Sequence, residues 1–282
     1  MRHALDPALC NASRETQAMT PILMLGAGRM GGAMIAGWRR AGAFASGELI
    51  LRDPHPGEAA IAAQAAGAVL NPGADILRTA RTVVLAVKPQ VWRDVALEIV
   101  GDLAADAVLV SVAAGITTQA LAEVFGDRAV ARAMPTTAAA IGQGTTSLFA
   151  TGPEALGAAR SLFAPLGTVV ELESEDLMHA ATAVSGSAPA YLYAFVEALA
   201  AAGETAGLSP EAAGHLARST LAGAAALMAE SPDTPAALRQ QVTSPGGTTE
   251  AALRVLVGTG GLDGLLDQAV KAAVARSKAL GK

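Results

Sequence analysis

Six consecutive residues constrain this chain more than any others. Gly26-Ala27-Gly28-Arg29-Met30-Gly31 follows the apolar run Ile22-Leu23-Met24-Leu25 and opens a segment, residues 30–40, with helical apolar spacing that stops at Gly42. Alone, G-x-G-x-x-G is a weak pattern. Between a buried strand and a helix it has the context it needs: the glycines make a tight turn, let backbone N–H groups approach a pyrophosphate, and aim a helix N-terminus at it. A second strand over residues 49–51 ends near Asp53, where an acid can accept hydrogen bonds from a ribose diol. A glycine-rich turn without a ligand would explain the loop, but not the strand, helix and acid in register with it. Such a unit commits the chain to parallel strands joined by crossover helices.

The following residues continue that alternation. Strands are expected at 82–87, 107–112 and 129–133, and helices at 58–66, 92–103 and 117–125. The strands are apolar without polar alternation, as in a sheet covered on both faces. The fold class is therefore α/β, a doubly wound sheet. A dinucleotide crosses the carboxyl ends of such strands. Here those ends are Ala86-Val87-Lys88-Pro89, the segment 111–115 with Ala113 and Ala114, and Met134-Pro135-Thr136. Small side chains there leave room for a flat ring and ribose. Lys88 is the only lysine before position 271; it reads equally as an exposed charge after a strand and as a group near the nicotinamide ribose. Beside Asp53, which disfavours a 2′-phosphate, Arg52 could neutralise one, so both NADPH and NADH are expected cofactors.

From about residue 171 strand signals vanish and Ala/Leu-rich helical segments take over, at 188–203, from Ser209-Pro210-Glu211, from Thr234-Pro235, at 248–257 and at 262–280. The expected organisation is a mobile extension over 1–20, a dinucleotide-binding domain over 21–170 and an all-α domain over 171–282. Met19, directly before Thr20-Pro21, is an alternative start. Within the helical part, Val242-Thr243-Ser244-Pro245-Gly246-Gly247-Thr248-Thr249-Glu250 is a turn running into a helix. Hydroxyls of Ser244, Thr248 and Thr249 and the free N–H groups about Gly247 converge there, an arrangement that suits a carboxylate. A lone threonine would be an ordinary cap. A second small-residue run, Ser185-Gly186-Ser187-Ala188-Pro189-Ala190-Tyr191, opens a helix that either faces the same site or simply packs closely.

Composition closes off several functions. Hydrophobic residues make up 52% and charged residues 16%, enough for a sizeable core, yet aromatics are only 3%, so the core must be small aliphatics. The formal net charge of −5, with no Lys/Arg stripe, argues against nucleic acid. No uninterrupted apolar stretch reaches the roughly 20 residues that span a bilayer, and residues 1–18 lack the apolar core of a signal peptide. One cysteine, Cys10, excludes an intrachain disulfide and fits a cytoplasmic location. His3, His55, His179 and His215 are scattered without metal-ligand spacing, so no metal is expected. The stretch from Ala188 to Leu227 carries many Ala and Leu and few charges, more apolar surface than a small domain can cover. A homo-oligomer built on a dimer is expected.

With these segments in place, the chain resembles the pyrroline-5-carboxylate reductases from Pro21 to Leu280. The resemblance rests on GAGRMGGAMIAG, LAVKPQ, SVAAGI, RAMP, SGSAPAY and VTSPGGTTEAAL, in that order. It implies a Rossmann domain, a helical domain interlocking with its partner, and NAD(P)H-dependent reduction of 1-pyrroline-5-carboxylate to L-proline. Together with the hydroxyl chemistry it favours Thr249 as the catalytic hydrogen-bond partner of the ring nitrogen, and Ser244, Gly247 and Thr248 as carboxylate ligands. The chain departs from the family pattern at Thr136 and Ala138, where MPNTP is usual, at Ala188, and at His179, where an acid is common. Three alternatives compete with this reading: a paralogue acting on a related cyclic imine acid, a β-hydroxyacid dehydrogenase, and a non-catalytic NAD(P)-binding regulator. The dehydrogenases use a mid-chain lysine, and no lysine stands between Lys88 and Lys271; the regulator has no need of SPGGTT.

Overall fold

The structure, a computed structural model, describes residues 19–280. Its eight described strands are β1 (Ile22–Leu25), β2 (Leu49–Arg52), β3 (Val69–Leu70), β4 (Thr82–Leu85), β5 (Val108–Ser111), β6 (Val130–Pro135), β7 (Gly144–Ala150) and β8 (Gly167–Glu171). They form one sheet in the order β3-β2-β1-β4-β5-β6-β7-β8. Pairing is parallel except between β6 and β7. The order reverses between β1 and β4, and the crevice above such a switch point is where α/β sheets bind ligands.

Continuous apolar strands are explained by two cores, one on each face. Successive strand side chains point to opposite faces. Ile22, Met24, Leu49, Leu51, Val84 and Val110 therefore enter one cluster, while Leu23, Leu25, Ile50, Val83, Leu85 and Leu109 enter the other. The first face is covered by α1 (Arg29–Ala41) and α2 (Glu58–Ala65), and by α6 (Pro153–Phe163); Trp38 Nε1 of α1 donates to the Leu162 carbonyl of α6 at 2.7 Å. The second face is covered by the short α3 (Ala74–Leu77), by α4 (Trp92–Ile99) and by α5 (Thr118–Phe125), through Leu77, Trp92, Ala96, Ile99, Leu121 and Phe125. Each fully buried Leu, Ile or Phe contributes about 1.5–3 kcal/mol. The sequence pattern missed β3, β7, β8, α3 and α6.

The helices that follow are α7 (Leu177–Ala181), α8 (Ala188–Thr205), α9 (Pro210–Glu230), α10 (Pro235–Gln241), α11 (Thr248–Leu256) and α12 (Leu262–Leu280), with a π-helical turn at Thr182–Gly186. Their start signals act as read: Ser209 and Thr234 accept the N–H groups of Ala212 and Ala237. The chain forms two compact units. One comprises residues 19–186 with 273–280; the other is residues 187–272. The boundary expected at 170/171 is displaced because α7 and the π turn pack against β7 and β6. The last turns of α12 also join the first unit. Of the stretch expected to be mobile, residues 1–18 lie outside the described residues. Met19 is buried, its carbonyl accepts from Thr82 Oγ1 at 2.9 Å, and Thr20 donates to Glu48.

Candidate active site

The glycine loop turns from β1 into α1. Its glycines divide by what a side chain would meet. At Gly31 an added Cβ would lie 2.2 Å from the Gly26 carbonyl oxygen, and Gly26, at φ +89°, would press on the Ala86 carbonyl. These two are required by the chain itself. At Gly28 a Cβ would meet nothing within 4 Å, and φ is −66°. Nothing among the described residues demands glycine there. The space it leaves opens on a cleft of about 790 Å³ lined by Gly26, Gly28, Arg52, Asp53, Ala86 and Val87 together with Lys88. Gly28 is also the N-cap of α1 and provides no side-chain cap, so among the described residues the first-turn N–H groups of that helix gain no side-chain cap. A cradle that only a ligand would fill, at a helix N-terminus, fits a pyrophosphate.

Asp53 is fixed rather than free. It accepts Ala27 N–H at 2.6 Å and His55 N–H at 2.7 Å, one on each carboxylate oxygen. Asn71, itself at φ +50°, brackets its backbone by accepting from Asp53 N–H at 2.9 Å and donating to its carbonyl at 2.8 Å. The carboxylate thus holds the glycine loop and keeps one lone pair per oxygen for a hydroxyl. Ala27 N–H, being engaged, is not available to a phosphate. Arg52 stands 3.6 Å from Glu98 of α4 across the cleft.

Pro89, partly exposed, follows Lys88 at the cleft, whereas Ala113 and Pro135 are buried and Ala114 partly so. Met134, 8% exposed, lies against Gly186, where a Cβ would sit 3.4 Å from its Cγ. Met134 of the RAMP run and Gly186 of the SGS run are therefore brought together within the first unit. Thr136 turns into the sheet: its Oγ1 accepts Thr145 N–H at 3.0 Å and its N–H donates to the Thr145 carbonyl. The departure at this position thus fastens β6 to β7.

In the second unit, Ser244 to Glu250 form the expected turn and helix start. Gly246 is at φ +70° and Gly247 is the N-cap of α11, with no side-chain cap. Thr248 and Thr249 are the first two helical residues and both are exposed, as is Ser244. Glu250 folds back to accept Gly246 N–H at 2.6 Å and an Arg254 N–H at 3.1 Å. The threonine hydroxyls are therefore not consumed as caps. The hydroxyl of Tyr191 in α8 is buried without a hydrogen-bond partner among the described residues.

One group of polar residues escaped the sequence reading. Glu175-Asp176 reads as the first turn of a helix, but α7 begins at Leu177 and Glu175 serves another element. Its carboxylate accepts Thr118 N–H and Thr118 Oγ1–H, each at 2.7 Å, and a guanidinium N–H of the buried Arg132 at 2.7 Å. It thereby caps α5 from 57 residues away. Burial pushes the Glu175 carboxyl up, but the Thr118 hydroxyl and N–H and the Arg132 guanidinium outweigh it and hold it below its ordinary value. Beside it, His179 Nδ1 lies 2.9 Å from Ser277 Oγ of α12. Burial, then the Arg132 and Lys278 charges, lower the imidazole pKa. No local pattern announces this cluster.

The family described as pyrroline-5-carboxylate reductase dimerisation matches residues 175–280, and the description "NADP oxidoreductase coenzyme F420-dependent" matches residues 21–115. A pyrroline-5-carboxylate reductase of Synechocystis is 37% identical over 92% of this chain and 97% of its own length. A solved pyrroline-5-carboxylate reductase structure from Coxiella burnetii superposes with a TM-score of 0.85 at 32% identity, covering 94% of this chain and 99% of that one. The Plasmodium falciparum pyrroline carboxylate reductase, solved with NADP bound, gives a TM-score of 0.80 at 27% identity, with 94% and 99% covered.

Proposed function

This chain belongs to the pyrroline-5-carboxylate reductase family, and we propose that it reduces the C=N bond of 1-pyrroline-5-carboxylate to give L-proline, using NADPH or NADH. The observation that carries the reading on the structural side is the open cradle at Gly28, above a cleft at the sheet's switch point. The reduced nicotinamide supplies the hydride. The loop N–H groups at Gly28, Arg29 and Met30 hold the pyrophosphate, with Gly31 closing the turn beneath them, and Asp53 holds the loop. Arg52 takes the ribose end, and Ala86 to Pro89, Ala113, Ala114, Met134 and Pro135 bound the nicotinamide end.

A protonated imine is already electrophilic, so the protein's contribution is orientation and exclusion of water rather than an acid–base pair. Thr249 Oγ1 meets the ring nitrogen, while Ser244, Gly247 and Thr248 bind the carboxylate at the start of α11. Their support is the exposed, uncapped arrangement of that helix start. The working unit is a homodimer or a larger assembly of dimers. Within residues 187–272 only Ala213 and Ala217 are fully buried, whereas Leu192, Tyr193, Leu227 and Met228 stand exposed. A cytoplasmic location completes the reading.

Steady-state assays of 1-pyrroline-5-carboxylate and its six-membered homologue, with each cofactor, test the activity. Turnover of the five-membered acid is expected with both cofactors. No turnover with either overturns the proposal, and preference for the six-membered ring moves the chain to a paralogous imine reductase.

A further inference from the structure

Asp53 cannot adjust to the cofactor offered to it, because two N–H groups and both sides of its backbone are fixed. Discrimination at the ribose end must come from side chains that can move. Arg52 and Glu98 answer that description: both line the cleft, and their side chains are 34% and 66% exposed. Their nearest nitrogen and oxygen are 3.6 Å apart, a charge pair without a hydrogen bond. Exposed pairs of this kind are weak, so a dianion can compete for the guanidinium. Of the other basic residues lining the cleft, Lys88 follows β4 rather than β2, and the His55 N–H is committed to Asp53.

We propose that Glu98 sets the NADPH-to-NADH ratio by withholding Arg52 from a 2′-phosphate. This rests on the cofactor reading of the cleft. NADH, ending in a ribose diol, meets Asp53 and leaves the Arg52–Glu98 pair intact. NADPH must draw Arg52 away from Glu98. The carboxylate on α4 is thus a specificity-determining group whose effect runs through a residue on β2, and it handicaps one cofactor without contacting the other.

The test is fluorescence titration of both reduced cofactors, without imine, against wild type, Glu98→Gln, Arg52→Ala and the double variant. Glu98→Gln should raise the NADPH-over-NADH affinity ratio about three- to fivefold, as expected for an exposed pair. Arg52→Ala should lower the ratio. In the Arg52→Ala background, Glu98→Gln should change nothing. The gain should also shrink with added salt, since the Debye length is about 8 Å at physiological ionic strength. An unchanged ratio in Glu98→Gln overturns the inference. So does a gain that persists without Arg52, which would make Glu98 a repelling charge only. Gly28→Val separates this from the underlying reading: if it binds both cofactors as wild type does, the cleft is not the cofactor site, whatever Glu98 does.

Discussion

Replacing Gly28 with valine isolates ligand approach from folding. The added Cβ meets no atom of the described residues within 4 Å, and φ of −66° is open to any residue. The ligand-free variant should therefore melt with wild type, or slightly above it, since removing a glycine at a compatible conformation stabilises by about 0.4–1 kcal/mol. The pyrophosphate would lose its approach to the loop N–H groups. Two charge-assisted hydrogen bonds at about 1.5–3 kcal/mol each make at least ~3 kcal/mol, roughly a hundredfold in affinity for NADPH and NADH alike. Gly31→Ala is the opposite case. Its Cβ would lie 2.2 Å from the Gly26 carbonyl oxygen, so the loop backbone must shift. Overpacking of this kind costs about 1–3 kcal/mol, or several degrees in Tm. Thermal melts without ligand and fluorescence titrations of both cofactors read the two effects separately. Wild-type binding by Gly28→Val would refute the loop assignment. A Tm for that variant as low as that of Gly31→Ala would refute the division of the glycines.

Other substitutions probe the remaining parts. Thr249→Val should lower kcat and kcat/KM by roughly ten- to hundredfold, the loss of about 1.5–3 kcal/mol in a bond to a charged nitrogen, with NADPH affinity unchanged. Ser244→Ala should instead raise KM more than it lowers kcat, because carboxylate binding is uniform along the reaction. Wild-type kcat/KM in both variants would return the segment to a capped helix start. Glu175→Gln should destabilise by about 3 kcal/mol in denaturant melts, since Arg132, with a 3% exposed side chain, loses its counter-charge. Because the folded Glu175 pKa is depressed, its contribution is complete above the unfolded value of 4.5 and is lost as pH falls through the lower folded one. The gap between wild type and Glu175→Gln should therefore close on acidification; a gap independent of pH would contradict the ionised pair. Sedimentation at micromolar concentration should show a dimer or a multiple of it, and a monomer would remove the proposed role of the exposed Leu192, Leu227 and Met228.

The first strands were legible because β1, β2, β4 and β5 are short, mostly apolar runs bounded by turn residues, as in a sheet covered on both faces, and β6 because Val130, Ala131, Ala133 and Met134 surround its one charge, Arg132. β7 escaped because it is polar at Thr145, Thr146 and Ser147, and β8 because its edge residues are largely exposed. α6 carried a readable start, Gly152-Pro153-Glu154, that strand-helix alternation alone did not single out. The glycine motif showed where a dinucleotide should lie, but not that Gly28 alone is free of internal demands, which depends on the Ala86 and Gly26 carbonyls. Glu175 was invisible for a different reason: its partners are 57 and 43 residues away, and only the assembled sheet places them together. Asp53 was legible as a residue, whereas its fastening to Ala27 and Asn71 was not.

The course of α12 bears on how such a chain is made. Residues 187–272 form the second unit, and the chain then returns to the first, where Ser277 meets His179. The helical unit is therefore an insertion in the topological sense, not an appendage. A nascent chain emerging from the ribosome can pair all eight strands of the sheet long before the residues around Ser277 exist. Until they do, His179 lacks its hydroxyl partner, so the end of the first unit is finished last. Nicking the chain within residues 187–272 would leave both covalent ends anchored in one folded body, whereas trimming back from residue 280 would strip a finished unit of its final turns.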